Sequence, residues 1–303
     1  MDKKYDKKLK PFVKWVGGKG QLLKEIRKSY PIGLGDNIMK YAEPFVGGGA
    51  VLFDILSRYK LKEVYISDIN LELINTYIVI RDDVETLISK LTQLEKEYIP
   101  LNAHARKKYY YEKRERYNQL LLNGNIQNSN LEKAALFIFL NKTCFNGLYR
   151  VNKKGLFNVP AGSYKNPLIC DSMNLKNISK AIKNVIIRCA DYQKSDAFID
   201  KNTFVYFDPP YRPLTKTANF TSYTEKGFGE DEQIELAEFV NKLSYRGAKV
   251  VVSNSDPKNS DITDDFFENL YDKQTVIRVQ ASRMINCKSD DRGRINELLI
   301  VNY

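Results

Sequence analysis

The sequence predicts an α/β fold, in which one sheet carries helices on both faces. Short runs rich in Val, Ile, Phe and Tyr recur along the chain, as buried strands require. Segments with apolar residues at helical spacing lie between several of these runs, and a glycine-rich turn separates the first run from the first of those helices. Regular alternation of strands and helices is typical of α/β domains.

The elements follow in a consistent order along the chain. A loop from Lys10 leads into a helix that begins after Gly17-Gly18, and a short strand follows at 40–45. Further strands are predicted at 64–67, 185–188, 204–207, 249–253, 275–280 and 298–302, and further helices at 50–56, 71–98 and 231–244. Residues 101–140 predict basic helical segments, broken by the polar stretch 123–130.

Residues 72–168 interrupt the alternation of strands and helices. The first part of this range is helical, whereas 141–167 is punctuated by Gly, Asn and Pro and predicts a hairpin with loops. We therefore expect an α/β domain made of residues 1–71 and 169–303, interrupted by an inserted domain at 72–168.

The overall composition is that of an ordinary soluble globular protein, with 43% hydrophobic and 28% charged residues. No apolar run approaches the roughly 20 residues that a membrane-spanning helix needs. The N-terminal segment MDKKYDKKLK is charged and has no apolar core of a secretory signal. We expect a cytoplasmic protein without membrane contact.

The positive charge of the chain is concentrated in one segment. Residues 101–168 hold 12 Lys and Arg against 3 Glu, which is +9 of the net charge of +11. A domain-sized basic segment can be a solvated cationic face or a solubility device, but the asymmetry of the charge favours a polyanionic partner such as nucleic acid.

Metal and disulfide chemistry find little support in the sequence. The cysteines (Cys144, Cys170, Cys189 and Cys287) are scattered without a Cys-x-x-Cys pair, which is typical of reduced thiols. The single histidine, His104, lies in a basic polar stretch and is expected on a helix surface. We expect no metal site.

A glycine-rich turn predicts a nucleotide-like ligand. In Glu43-Pro44-Phe45-Val46-Gly47-Gly48-Gly49-Ala50, the glycines let the backbone approach a ligand at a helix N-terminus. Asp68 ends the next strand, where an acid can bind ribose hydroxyls. The order favours an adenosine-containing cofactor, but neither the G-x-G-x-x-G fingerprint nor the Walker pattern is present, although Gly17-Gly18-Lys19 superficially resembles the latter.

A second candidate site follows the predicted strand at 204–207. In Asp208-Pro209-Pro210-Tyr211, the carboxylate and the Pro209 carbonyl can accept hydrogen bonds from an amino group, and Tyr211 can stack on a flat ring. A plain turn at the end of a strand is the competing interpretation, because proline pairs end strands anyway.

These segments together resemble the Dam-type DNA adenine-N6 methyltransferases. The resemblance covers the chain from about residue 10 to its end, in the order of the family. It includes 11–19, 43–49, 146–150, 157–160, Tyr164-Lys165, 208–211, and 213–214 with 218–223. Asp191-Tyr192 stands where the family often has Asp-Phe.

The resemblance implies a Rossmann-like, S-adenosylmethionine-dependent methyltransferase domain, with 72–168 as its DNA target-recognition domain. The cofactor positions would be Trp15, Gly18, Lys19, Glu43, Pro44, Phe45, Gly47, Gly49, Asp68, Asp191, Tyr192 and Asp208. Asp68 would hold the ribose of the cofactor and Asp191 its adenine. Trp15 is equally well explained as an anchor of the core.

The same resemblance implies a duplex GATC target whose adenine leaves the helix to reach Asp208–Tyr211. The base-reading positions match Lys14, Leu148, Arg150, Pro160 and Tyr164, and Phe145-Asn146 matches a pair that inserts into the base stack. Residue type alone does not separate a guanine contact of Arg150 from a phosphate contact. Whether Asp208 itself takes the proton is left open.

Other functions fit the sequence less well. A cytosine-C5 methyltransferase needs a nucleophilic cysteine, usually after proline, and none of the cysteines follows Pro. Cytosine-N4 and protein-glutamine methyltransferases more often begin the motif with Ser or Asn. A non-catalytic DNA-binding module, or a methylase of RNA or of another DNA sequence, stays open. A bacterial or phage enzyme, alone or beside a restriction endonuclease, is expected.

Overall fold

A computed structural model describes residues 9–122, 130–212, 228–282 and 294–303. The segment around Ala218–Tyr223, which carries part of the family resemblance, lies outside these described residues, as does Cys287.

A seven-stranded sheet organises the described part of the chain, and it confirms the predicted α/β class. Its strands are β1 (Lys40–Glu43), β2 (Glu63–Asp68), β3 (Ile186–Cys189), β4 (Thr203–Phe207), β5 (Lys249–Ser255), β6 (Thr275–Ser282) and β7 (Arg294–Val301). Their order is β3-β2-β1-β4-β5-β7-β6. The pairs β2–β1, β1–β4 and β4–β5 are parallel, whereas β7 runs antiparallel to both β5 and β6. The sheet is therefore parallel at its centre and antiparallel at one edge.

The helices are α1 (Leu23–Ile26), α2 (Ala50–Arg58), α3 (Leu71–Asp82), α4 (Val84–Tyr98), α5 (Ala103–Leu122), α6 (Asn130–Thr143), α7 (Ser172–Ile182), α8 (Glu230–Tyr245) and α9 (Phe266–Leu270). Most predicted elements are present, with ends that shift by at most four residues, and the helical range 71–98 is divided into α3 and α4. The helix expected directly after Gly17-Gly18 is shorter and starts later, because turns occupy the residues before α1.

The chain divides into two compact units. The first comprises the described residues of Met1–Gly18, Gly47–Arg58 and Asp68–Cys189, and the second comprises Lys19–Val46, Tyr59–Ser67 and the described residues of Ala190–Tyr303. The predicted boundary of a separate domain at 72–168 stays a prediction.

The first unit is mainly helical and is built around α6. Residues Lys133–Leu140 of α6 are all buried, because α3, α4 and α5 pack around that helix. After α6, the chain from Cys144 to Ala161 folds back on itself, with isolated antiparallel bridges at Cys144–Ala161 and Val151–Phe157. The predicted hairpin is therefore present, but without a regular ladder of strand pairing.

The second unit has a core of strand residues. Every residue of β4 is buried, as is most of β5, which is why both read as continuous apolar runs in the sequence. A strand buried on both faces has no polar alternation, and its carboxyl end leads directly to the loops that carry function in α/β proteins. Asp208–Tyr211 directly follows β4.

None of the helices in the described ranges is long and apolar enough to cross a membrane. Within the same ranges, no group of three or more His, Cys, Asp or Glu side chains could hold a metal ion. His104 lies exposed on α5, as expected, and Cys144, Cys170 and Cys189 are free thiols.

Candidate functional site

The glycine loop before α2 has a conformation that only glycine adopts readily. Gly47 and Gly49 have positive φ angles of 47° and 75°. A Cβ atom on Gly49 would lie 2.4 Å from the hydroxyl oxygen of Tyr77, and one on Gly47 would lie 2.8 Å from Cδ1 of Trp15. The Tyr77 hydroxyl also donates to the Gly47 carbonyl over 3.0 Å. The loop is held rigidly by aromatic side chains of the first unit.

Asp68, at the end of β2, accepts hydrogen bonds from the same loop. Its carboxylate accepts from the backbone N–H of Gly47 at 3.0 Å and from that of Asn70 at 2.9 Å. Burial raises the pKa of Asp68, and the hydrogen bonds from Asn70 and Gly47 oppose that rise. A carboxylate can accept about four hydrogen bonds, so the side chain keeps the capacity to accept from a ligand hydroxyl.

These residues fit the adenosine portion of S-adenosylmethionine. The glycine loop has no room for side chains, and the half-buried Asp68 carboxylate stands beside it as an acceptor for the vicinal hydroxyls of a ribose. Trp15 lies against the loop, and its carbonyl accepts from the N–H of Gly18 at 3.1 Å. The structure thus brings Trp15, Gly18, Gly47, Gly49 and Asp68 into one part of the first unit.

A second group of predicted cofactor residues lies in the second unit. The ring of Phe45 stacks on that of Tyr192 at a centroid distance of 5.4 Å, and Phe207 is an edge neighbour of both rings. Glu43 is buried and accepts from the Tyr41 hydroxyl at 2.6 Å. Pro44, which lies between Glu43 and Phe45 in the sequence, is buried. Asp191 is exposed, and its carboxylate accepts from the N–H of Gln193 at 2.9 Å.

The carboxylate of Asp208 is held by two donors on one oxygen. Lys19 Nζ lies 2.7 Å from Oδ1, and the Ser253 hydroxyl donates to the same oxygen at 2.8 Å. Lys19 is only 4% exposed, so this ion pair is sheltered from water. Neither contact uses Oδ2, which therefore keeps its capacity to accept a hydrogen bond.

Tyr211 is fixed at both ends of its side chain. Its hydroxyl donates to Oε2 of Glu297 at 2.5 Å, and Lys19 Nζ lies 4.7 Å from the centre of its ring. Burial, Asp208 and Glu297 together raise the pKa of Tyr211 well above its ordinary value. The tyrosine therefore stays neutral, and its ring has a defined orientation.

Buried amides hold the backbone around the two prolines. Gln233 donates to the Pro210 carbonyl at 3.0 Å and accepts from Asn254 at 3.0 Å. Asn254 in turn accepts from the N–H of Arg212 at 3.4 Å. Gln233 and Asn254 are fully buried, and Pro209 is buried while Pro210 is exposed. The chain of amides fixes the path of the loop on which Asp208 sits.

Sequence reasoning missed Ser253, Gln233 and Asn254. The available signal was the pair Ser253-Asn254, which directly follows three buried valines in β5. Ligands of open α/β sheets bind outside the carboxyl ends of the strands, so polar residues at the end of an apolar strand are candidates for a site.

Several predicted DNA-binding residues meet at the base of the hairpin in the first unit. Lys14 donates to the Tyr164 hydroxyl at 3.1 Å, and its aliphatic chain packs so closely on Gly147 that a Cβ there would lie 2.4 Å from Cδ. The N–H of Phe145 donates to the Pro160 carbonyl at 2.9 Å, which joins the two strands of the hairpin at this end.

The remaining predicted DNA-binding residues lie on the same hairpin. Phe145 is 53% exposed, and Asn146 has a φ of 55°. Asn146 is the only residue other than glycine with a positive φ in the described part of the chain, and such backbone is uncommon outside turns and functional loops. Arg150 is exposed and donates to Asn158 Oδ1 at 2.7 Å, while Leu148 is half-buried.

Asn141, which the sequence did not single out, joins Lys14 to the hairpin. Its Oδ1 accepts from the N–H of Lys14 at 2.8 Å, and its Nδ2 donates to the carbonyls of Lys14 at 2.8 Å and Gly147 at 2.9 Å. The side chain is 2% exposed, so these bonds are protected from water. An asparagine inside an apolar helix was the signal for this role.

Comparison with known proteins agrees with these features. The sequence profile of the D12 class N6 adenine-specific DNA methyltransferases matches residues 15–285. The chain is 52% identical over 297 residues to the type II methyltransferase M.MjaIII of Methanocaldococcus jannaschii, covering 97% of this chain and 99% of that protein. It is 38% identical to the type II methyltransferase M1.LlaDCHI of Lactococcus lactis subsp. cremoris, covering 97% and 96%.

A further relative is the DNA adenine methylase of Escherichia coli K12, which is 34% identical over 294 residues, covering 97% of this chain and 95% of that protein. The profile covers far more than half of the chain, and all three relatives align over almost its whole length. The chain therefore belongs to the D12 class of N6 adenine-specific DNA methyltransferases, which transfer a methyl group from S-adenosylmethionine to adenine in DNA.

Proposed function

We propose that the enzyme methylates the adenine of GATC in duplex DNA, and that the base leaves the helix to reach Asp208–Tyr211. The observation that carries the sequence assignment is the meeting of Lys14 and Tyr164 at the base of the hairpin that bears Leu148 and Arg150. Arginine is the usual bidentate partner of guanine, and apolar side chains meet the methyl group of thymine.

Asp208 orients the amino group that is methylated. The adenine N6 lone pair is conjugated with the ring, so acceptors aimed at both N–H bonds favour a pyramidal nitrogen with an available lone pair. Asp208 Oδ2 and the Pro209 carbonyl supply these acceptors, because Lys19 and Ser253 already engage Oδ1. S-adenosylmethionine supplies an electrophilic methyl group when bound, so the chain's own contribution is mainly orientation and electrostatics.

Tyr211 stacks on the flipped adenine. Its hydroxyl bond to Glu297 and the Lys19 ammonium near its ring keep the aromatic face in one place. A preset face lowers the ordering cost when the base arrives. Because Lys19 contacts both Asp208 and Tyr211, it couples the orientation of the two catalytic side chains.

Cofactor binding is assigned to the residues predicted from the sequence. In this proposal Asp68 accepts from the ribose hydroxyls, and Trp15, Gly18 and the Gly47–Gly49 loop bound the ligand in the first unit. By the family resemblance, the proposal also assigns cofactor contacts to Lys19, Glu43, Pro44, Phe45, Asp191 and Tyr192, with the Asp191 carboxylate accepting from the adenine amine.

Two relatives are named type II methyltransferases, which supports a role beside a restriction endonuclease acting on the same sequence. A solitary or phage methylase is the other arrangement that the resemblance allows. Because the substrate is cellular or phage DNA, we infer a cytoplasmic location in a bacterial or phage-infected cell.

The test is expression of the enzyme in a strain that lacks adenine methylation, followed by digestion with an endonuclease that methylated GATC blocks. We expect protection, and sequencing of modified bases should find N6-methyladenine within GATC. Asp208→Ala should remove methylation while DNA binding persists, and Asp272→Ala, at an exposed position of the same unit, should behave as wild type. Cleaved DNA together with methylation at another sequence would refute the GATC assignment.

A further inference from the structure

Tyr149 stands between two predicted base-reading residues, Leu148 and Arg150, yet its ring packs away from them. The ring stacks on that of Trp15 at a centroid distance of 5.7 Å and an interplanar angle of 23°. It also contacts Phe137 of α6 at 5.4 Å and Phe157 of the returning hairpin strand at 5.8 Å. Tyr149 is thus the aromatic link between the hairpin and Trp15.

Trp15 in turn lies directly against the glycine loop. An added Cβ on Gly47 would lie 2.8 Å from Cδ1 and 3.0 Å from Nε1 of the indole, and one on Gly48 would lie 3.0 Å from its Cβ. Trp15 and the glycine loop are thus in close contact, and close-packed groups transmit displacement. The glycine loop, Trp15, Tyr149 and the hairpin therefore form one continuous packed row within the first unit.

Hydrogen bonds of Asn141 also hold the segment around Trp15 next to the hairpin. Asn141 bonds both backbone groups of Lys14, the residue before Trp15, and also the carbonyl of Gly147 at the start of the hairpin. The backbone beneath Trp15 and the backbone beneath Tyr149 are therefore anchored to the same buried side chain. Asn141 therefore keeps the two segments next to each other, and the stacked rings of Trp15 and Tyr149 are a second contact between them.

The hydroxyl end of Tyr149 is directed to the loop that follows Asp68. Burial, with a smaller contribution from Glu72, raises the pKa of Tyr149 to about 12, and hydrogen bonds with the side chains of Asn70 and Tyr117 oppose that rise. Asn70 is the residue whose N–H donates to the Asp68 carboxylate at 2.9 Å. Tyr149 thus adjoins the predicted cofactor residues through its ring face and through its hydroxyl.

We propose that Tyr149 is a positioning residue that couples S-adenosylmethionine binding to the reading of DNA by the hairpin. The inference rests on the proposed roles of Trp15, Asp68 and Arg150. A ligand that presses on the glycine loop fixes Trp15, which fixes Tyr149 and the flanking residues Leu148 and Arg150. Because coupling between two binding sites is reciprocal, DNA held by the hairpin strengthens cofactor binding by the same factor.

The test measures the affinity of S-adenosylhomocysteine, an unreactive probe, by calorimetry with and without a saturating GATC duplex. In the wild-type enzyme we expect the duplex to tighten binding by about fivefold or more. Tyr149→Phe keeps the ring and should keep this factor. Tyr149→Leu and Tyr149→Met remove the ring and should reduce the factor below twofold, while each ligand still binds alone.

Tyr245→Leu provides the matched control, because Tyr245 is 95% exposed in the second unit and should leave the coupling unchanged. The proposal is overturned if the wild type shows no coupling, or if a folded variant without the ring retains the wild-type factor. Circular dichroism establishes folding, and the Met variant serves if the Leu variant does not fold. The digestion assay described above tests the proposed target sequence separately. If the wild-type enzyme methylates another sequence, the coupling is measured with a duplex of that sequence.

Discussion

Asn141→Leu should destabilise the first unit by about 3–4 kcal/mol, because the substitution keeps the size of the side chain but removes all three of its hydrogen bonds. Those bonds go to the N–H and carbonyl of Lys14 and to the carbonyl of Gly147, at 2.8–2.9 Å. A protected hydrogen bond contributes about 1–1.5 kcal/mol, and unpaired buried partners lose at least that much. The estimate is the sum over three such bonds.

Urea unfolding followed by tryptophan fluorescence measures this loss, since Trp15 is the sole tryptophan and adjoins the affected segment. Asn184→Leu is the matched control, because Asn184 is exposed and should shift the free energy of unfolding by less than about 0.5 kcal/mol. A loss below about 1 kcal/mol for Asn141→Leu would refute the view that this side chain joins Lys14 to the hairpin.

Three further predictions concern catalysis, pH and salt. Ser253→Ala should lower kcat by about 10–100-fold with little change in cofactor affinity, because a hydrogen bond to Asp208 is lost; equal effects of Ser255→Ala would contradict this. Burial raises the pKa of Asp68 above its ordinary 3.8. At a pH above this raised pKa, the buried ionised carboxylate lowers the free energy of unfolding, and the penalty disappears as the pH falls and the carboxylate is protonated. Asp68→Asn removes this penalty, so it should not lower the unfolding midpoint at pH 8. It should weaken cofactor binding, because a charged acceptor for the ribose hydroxyls is lost. The basic residues of 101–168 should make log Kd for duplex DNA rise steeply with log salt; a flat response in filter binding would argue against their phosphate contacts.

The strands and the conformation of the glycine loop were predictable because their signals are local. Continuous apolar runs indicate β4 and β5, and the glycines after β1 indicate a loop whose backbone lies close to neighbouring groups. The antiparallel edge formed by β6 and β7 was not predicted, since a run of apolar residues does not reveal which strand it will pair with. The register of such pairs depends on residues far apart in the chain.

The missed site residues share one property. Ser253, Gln233 and Asn141 act through partners that are distant in sequence, such as Asp208 for Ser253 and Lys14 for Asn141. Ser253 and Asn141 stand in apolar stretches, and Gln233 stands among acidic residues at the start of α8, so nothing local marks the partner of any of them. The resemblance to a family supplied the residues expected to touch ligands, whereas the residues that hold them in place required the structure.

The pairing of β1 with β4 also has a consequence for synthesis of the protein on the ribosome. Lys40 of β1 aligns with Thr203 of β4, about 160 residues later. At about 5–20 residues per second, β1 waits roughly 8–30 s for its partner, with one row of backbone hydrogen-bonding groups open to other chains. We therefore expect slower translation or chaperone shortage to reduce the yield of enzyme, while each molecule that completes the sheet retains full specific activity.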